Sequence, residues 1–253
     1  MNQLLARFEL IAAIVAAMAI AVSGPGYRFG WWPLPTAFTM MRWGAWIAVA
    51  IAVVAIVHLI VRYRIPGLPG RGFAQGIAIA ITLAAAAAPL WLTWNGSRVP
   101  PIHDITTDPS NPPAFVAIVP LRAQASNPVV YEGEEVAKQQ RSAYPDIQPI
   151  VVGTWPTETA FDRALAAARK MGWTIIDTNA VDGRIEATDT TPFFGFVDDI
   201  VIRVKIVGSR TQIDVRSLSR IGRSDLGANA WRVRRYTHTL MSELAEPAPA
   251  RTQ

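Results

Sequence analysis

Three runs in the first hundred positions are apolar on every side: residues 4–22, 43–61 and 73–94. A helix without a polar face must lie within protein or lipid. Each run is long enough, or nearly so, to cross about 30 Å of hydrocarbon, which takes roughly 20 residues. Arg7 and Glu9 interrupt the start of the first run, whose continuous apolar part is residues 10–22. That length also suits a signal peptide, with Ala19 and Ala21 permitting cleavage. His58 is the only ionisable group in the second run, and Pro89 is expected to bend the third near its end.

Beyond residue 95 the pattern changes. Nine prolines among residues 95–149 exclude long regular elements there. In "DPSNPPAF", Asp108 and Asn111 each precede proline and are suited to bonding their own backbone. A short helix is predicted over 134–141, with Glu134 and Lys138 four apart. From "QPIVVG", a short strand, the periodicity becomes regular. "PTETAFDRALAAARKMG" places Phe161, Ala164, Leu165, Ala168 and Met171 on one helical face. Pro156 and Glu158 suit its first turn and Gly172 its end. Strand-like runs follow at 173–179, 184–188, 197–207 and 211–219. A last helix over 226–244 aligns Leu226, Ala230, Val233, Thr237, Leu240 and Leu244.

Short turns between strands imply antiparallel pairing. The fold class is therefore a membrane anchor of three helices plus an α+β external domain. That domain is expected to hold an antiparallel sheet of four to five strands with two helices on one face. The organisation follows as residues 1–95 in the membrane, 96–145 extended and proline-rich, 146–246 α+β, and 247–253 a disordered tail. A loop around "GSRT" sets Ile206 beside Ile213 and Val204 beside Val215. The opposite face then pairs Lys205 with Asp214, Arg203 with Arg216, Val201 with Leu218 and Asp199 with Arg220. Facing arginines repel, so a carboxylate or a ligand anion is expected between Arg203 and Arg216.

Charge changes the picture in one respect. The net charge is +5, yet residues 1–100 carry seven arginines against one glutamate, while the remainder carries 17 basic and 18 acidic residues. The basic excess belongs to the apolar half, so nucleic acid is not an expected partner. Arg62, Arg64 and Arg71 outweigh the opposite loops and place the amino terminus in the cytoplasm. The external domain then lies in the periplasm or outside the cell, anchored in the plasma membrane. Trp31, Trp32, Trp43, Trp46, Trp91 and Trp94 form an aromatic belt at the outer interface. The absence of cysteine excludes disulfides and thiolate metal sites.

"IHDITTDPSNPPAF", "FVDDIVIRV" and "DVRSLSRIGRSDLGANA" together resemble the family known as domain of unknown function 1499, over roughly residues 101–244. The resemblance implies a bacterial or plastid protein that is membrane-associated or exported, and it supplies no reaction or substrate. Family-type positions are His103, Asp104, Asp198, Asp199, Arg216, Arg220, Ser224, Asp225, Gly227 and Asn229.

The candidate chemistry centres on residues 214–235. Arg203, Arg216 and Arg220 are expected on the sheet's open face, with Arg223 and the start of the last helix near its end. Only Asp199 and Asp214 oppose this charge there, which leaves room for a phosphate or carboxylate. Asp225 is expected to cap the last helix, and Gly222 to supply an unusual backbone angle. The candidate binding set is Arg203, Arg216, Arg220, Arg223, Asp199 and Asp225, with an Asp199–Arg220 ion pair as the structural alternative. Because a surface ion pair contributes at most about 1 kcal/mol, Arg216→Ala is expected to leave the domain folded, and unfolding would make the junction scaffolding. "GRSDLG" sits where a nucleophile elbow would, so a hydrolase using Ser224 is the rival reading. His103, Asp104 and Asp108 read as a turn network rather than a metal site. "PFFGF" is either core or an exposed patch touching lipid or a partner. No cofactor is expected. The partners expected are the lipid bilayer and either an envelope protein or an anionic small ligand.

Overall fold

The computed structural model describes residues 2–65 and 73–245. Arg71 and the expected disordered tail lie outside the described residues. The chain divides into two compact units. The first is Met1–Ser97 with the short segment Pro192–Gly195, and the second is Arg98–Thr191 with Phe196–Gln253.

The helical unit consists of α1 (Asn2–Arg28), α2 (Leu34–Arg64) and α3 (Phe73–Gly96). All three are long and apolar enough to cross a membrane. They outlast the apolar runs that announced them. α2 starts well before residue 43 because Pro35 fits a first turn, where its missing amide would have no partner. α3 continues through Pro89, whose carbonyl accepts from Thr93 Oγ1 at 2.9 Å. Small residues face inward: Ala13 and Ala16 on α1, Ala45, Ala48 and Ala52 on α2, Ala78 and Ala86 on α3. At Gly44 a Cβ would meet Ile20 Cγ1 at 2.8 Å, so only glycine permits this approach of α1 and α2. Val53, Val54 and Val57 point outward, as do five of the six belt tryptophans; Trp32 is half-buried. Small side chains between helices and large ones outside are the packing expected where lipid surrounds a bundle. Phe194 is buried in this unit, its ring 5.4 Å from that of Phe38, so part of "PFFGF" is core.

The second unit contains one six-stranded antiparallel sheet. Its strands are β1 (Asp104–Thr106), β2 (Ile150–Val151), β3 (Thr174–Asn179), β4 (Arg184–Thr190), β5 (Val197–Val207) and β6 (Arg210–Ser219). The order is β1-β6-β5-β4-β3, with β2 also pairing β6. The sixth strand is β1, too short to show a period within the proline-rich segment. Three helices complete the unit: α4 (Glu134–Ala143), α5 (Thr157–Lys170) and α6 (Ala228–Ala245). In α4 the expected Glu134–Lys138 pairing gives way to an ion pair of Glu134 with Arg141.

The β5–β6 register is two residues from the expected one. Val204 lies opposite Ile213, Ile202 opposite Val215, and Arg203 opposite Asp214. The turn is the cause: Val207 pairs with Arg210, leaving Gly208 and Ser209 as a two-residue loop. Gly208 has φ 62°, which a II′-type hairpin turn requires at its first central position. A slip of two preserves every side chain's face. It also removes the Arg203–Arg216 repulsion, because Arg216 now lies opposite Val201.

One face of the sheet carries α5 and α6. Ala160, Phe161, Ala164, Ala167, Ala230, Val233, Tyr236 and Leu240 pack there on Ile185, Ile200, Ile202, Ile213 and Val215. The opposite face, expected to be open, is covered. Phe115 and Ile118 of the proline-rich segment pack on Val201 and Leu218.

Candidate functional site

That covering is built around charges. Proline-rich backbone offers many carbonyls that no regular element satisfies, and a buried carbonyl needs a donor. The sheet's arginines supply them. Arg216, on β6, donates from Nη1 to the Pro113 carbonyl at 3.1 Å and from Nη2 to that of Val129 at 2.8 Å. Its Nε and Nη2 also bond Asp104 on the neighbouring β1, the shortest at 2.7 Å. The guanidinium lies over the rings of Phe115 and Tyr131, 5.1 and 5.5 Å from their centroids. Arg216 is 3% exposed and Asp104 1%. This is a buried ion pair, so Arg216→Ala would strand a buried carboxylate, against the expectation that the domain tolerates that change.

Asp199 is fully buried and bonds two arginines. Arg220 donates from Nη2 at 2.8 Å, and Arg122 makes the second contact. Arg220 also reaches the Leu121 carbonyl at 3.0 Å, and Arg122 that of Asn127 at 3.0 Å. The Asp199–Arg220 pair is thus present, although Asp199 lies opposite Leu218 in register. Asp214, also buried, holds Arg203 at 2.7 Å and Lys205 at 3.0 Å. Asp108 meets both cations at 3.1 Å, while its Oδ1 accepts the Asn111 amide at 3.1 Å. The turn-network reading of Asp108 therefore describes what it does, with two cations added. Glu186 completes the set by accepting the amides of Val116, Ala117 and Ile118 between 2.8 and 3.0 Å.

Four of the six binding candidates are accounted for by these contacts: Arg203, Arg216, Arg220 and Asp199. The other two lie in the loop before α6. Asp225 Oδ1 accepts the Gly227 amide and Oδ2 that of Asn229, both at 2.8 Å. The expected cap is made. Burial raises the Asp225 carboxyl above its ordinary value, against the lowering effect of those two amides. Desolvation likewise raises Asp104, opposed by Arg216. Gly222 has φ 95°, as its expected role requires. The Arg223 side chain is exposed and makes no ion pair among the described residues.

Ser224 Oγ accepts the Leu226 amide at 3.2 Å. The imidazole of His103 has Nδ1 3.3 Å from the Arg223 carbonyl, while its buried Nε2 lies 3.7 Å from Glu132 and makes no hydrogen bond among the described residues. On the helix-bearing face Arg232 bonds Asp198 at 2.6 Å and Asp189 at 2.9 Å, and Asn229 donates to the His103 carbonyl.

Arg122, Glu186, Asn127 and Arg232 belong to this network without having stood out in the sequence. A lone charge in a loop or strand carries no periodic signal. Alternation along β4 could have found Glu186, because its apolar neighbours place it on the covered face. In the helical unit Glu9 is a partner that hydropathy alone does not reveal. Its Oε1 lies 3.0 Å from His58 Nδ1, and Arg62, one turn along α2, donates to Gln75 Oε1 at 3.3 Å.

Comparison with curated proteins yields no match. A family model does match, over residues 104–240, a span that begins with the Asp104 of β1 and ends within α6. The matched span covers more than half of the sequence and most of the charged core, and the chain belongs to the family described as Protein of unknown function (DUF1499).

Proposed function

We propose that the chain is a membrane-anchored protein of the cell envelope whose C-terminal unit binds a partner protein and performs no catalysis. The observation that carries this reading is the internal use of the motif charges. Asp104, Asp199, Arg203, Arg216 and Arg220 hold the 111–131 segment on the sheet, so they build a surface instead of a reaction site. Arginines already bonded to carboxylates and backbone carbonyls have few donors left for an anionic small molecule, which favours a protein partner. The Ser224 hydroxyl oxygen is engaged by a backbone amide rather than by a base.

Three further features support the membrane setting: the apolar length of α1–α3, their inward small residues and outward valines, and Trp31, Trp32, Trp91 and Trp94 near helix ends. Arg62 and Arg64 at the end of α2 favour the cytoplasm for that end and the periplasm or exterior for the C-terminal unit.

Complementation of a deletion strain tests the reading. Ser224→Ala is expected to restore the phenotype fully, and membrane crosslinking of the same variant is expected to retain the partner. Loss of complementation by a stably folded Ser224→Ala protein would instead make the serine a catalytic group.

A further inference from the structure

The loop between β6 and α6 turns bulky and basic side chains outward, away from the charged core. Leu226 adopts φ 54°, the only left-handed non-glycine among the described residues, and is 40% exposed. A bulky residue in that conformation is an outlier, and such outliers persist where surrounding structure enforces them. Here the enforcement is visible. Asp225 is drawn inward onto the Gly227 and Asn229 amides, and the Asp225 amide donates to the Ile102 carbonyl at 3.1 Å. Leu226 is turned out as a result. Trp231, on the first turn of α6, is 58% exposed, with the Arg235 guanidinium 5.2 Å from its ring centroid. Neither Arg223 nor Arg235 has a carboxylate partner among the described residues.

Position in the chain selects the occupant. A Cβ on Gly227 would lie 3.5 Å from Val99 Cγ1. Val99 is three residues beyond Gly96, where α3 ends, and three residues reach roughly 10 Å at most. If α3 spans the bilayer, its exposed Trp94 marks the headgroup region, five residues before Val99 in the chain. Exposed leucine and tryptophan flanked by arginines without carboxylate partners match that region in both polarity and charge.

We propose that Arg223, Leu226, Trp231 and Arg235 form a lipid-docking face that takes anionic phospholipid headgroups, with the two apolar side chains entering the interface. The inference rests on the reading of α1–α3 as membrane spans. It gives the out-turned Leu226 a role that neither helix capping nor sheet packing supplies.

The chain contains no cysteine, so single nitroxide labels can be placed without background. The full chain is reconstituted in phosphatidylcholine vesicles with and without phosphatidylglycerol, and label depth is measured by oxygen and nickel-chelate accessibility. Labels are placed at Leu226→Cys, at Ser224→Cys as a second reporter in the same loop, at Val54→Cys within α2, and at Val181→Cys, 97% exposed, as an aqueous control. The expected result is a deep Val54 label and a Leu226 label at headgroup depth in the anionic vesicles. The Leu226 label is expected to return to water in phosphatidylcholine alone, or with Arg223→Glu and Arg235→Glu combined. A deep Val54 label with aqueous labels at Leu226 and Ser224 would overturn the docking face and leave the spans intact. An aqueous Val54 label would overturn the spans, and the docking face with them. A Leu226 label shielded from both reagents in every lipid would overturn lipid docking and assign the face to a protein.

Discussion

Arg216 illustrates how far burial alters the worth of one ion pair. An exposed pair contributes at most about 1 kcal/mol. Arg216 and Asp104 are both buried, and the guanidinium also serves two carbonyls and two rings. Removing one partner of such a pair costs about 3–5 kcal/mol. Thermal unfolding of the detergent-solubilised chain is expected to show a loss of that order for Arg216→Ala. The double variant with Asp104→Ala is expected to lose less than the two single variants combined, because no carboxylate is then left stranded. Additive losses would refute the coupling. Asp225 makes a different prediction, from pH. Burial raises its carboxyl above the ordinary 3.8, so the folded state holds its proton to higher pH than the unfolded chain. The stabilisation from that proton is fully present below about pH 4 and is lost as pH rises through the folded value. Asp225→Asn keeps an acceptor for the cap and has no proton to lose. Its stability is therefore expected to fall less than the parent's between about pH 4 and about pH 7, whereas Asp225→Ala forfeits about 1 kcal/mol of cap at any pH. Equal pH dependence in parent and Asp225→Asn would contradict this.

At the scale of elements, the covering segment 111–131 depends on the sheet for order. It has one short 3₁₀ turn, Val119–Arg122, and otherwise borrows donors and acceptors from β4, β5 and β6. Glu186 of β4 is the acceptor for three successive amides, so Glu186→Ala leaves all three without a partner. Hydrogen exchange at Val116, Ala117 and Ile118 is expected to accelerate about tenfold or more, corresponding to about 1.4 kcal/mol of local stability. Exchange in β5 and β6 is expected to change less, since their ladder bonds to each other remain. Uniform acceleration across the sheet would mean that the segment and sheet open as one unit. In the helical bundle the corresponding test is Glu9. Glu9 is buried beside His58, and polar contacts between helices in lipid contribute about 0.6–2 kcal/mol each. Glu9→Ala is expected to lower resistance to denaturing detergent by that amount, and an unchanged midpoint would show the pair to be energetically silent.

For the whole molecule, the orientation of the bundle decides where the C-terminal unit works. Alkaline phosphatase fused after Leu244 is expected to be active, and a fluorescent reporter that matures only in the cytoplasm is expected to shine when fused after Arg64. An inactive phosphatase on a stable fusion would reverse the orientation. The helices, β3 to β6 and the Asp225 cap are legible in the amino-acid pattern, because each follows from a period or from a residue's own local geometry. The register is not. A two-residue slip leaves the hydrophobic pattern unchanged, so only the turn conformation at Gly208 distinguishes the alternatives. The charged set is legible in half. Arg203, Arg216, Arg220 and Asp199 are visible as residues, but the groups that occupy them include Asp104, Asp108 and Arg122, which lie about 80 to 110 positions away in the chain.

Hydrophobic periodicity by itself determined that this chain has three lipid-compatible helices and an antiparallel α+β unit, since burial of apolar faces admits few other solutions. Family membership was likewise written in three short motifs. Only the tertiary structure decided that the arginine face is covered, that its charges are spent on a proline-rich backbone, and that Leu226 and Trp231 are turned outward. Those outcomes depend on which distant groups meet, and electrostatic pairing has no period along the chain from which a partner can be read.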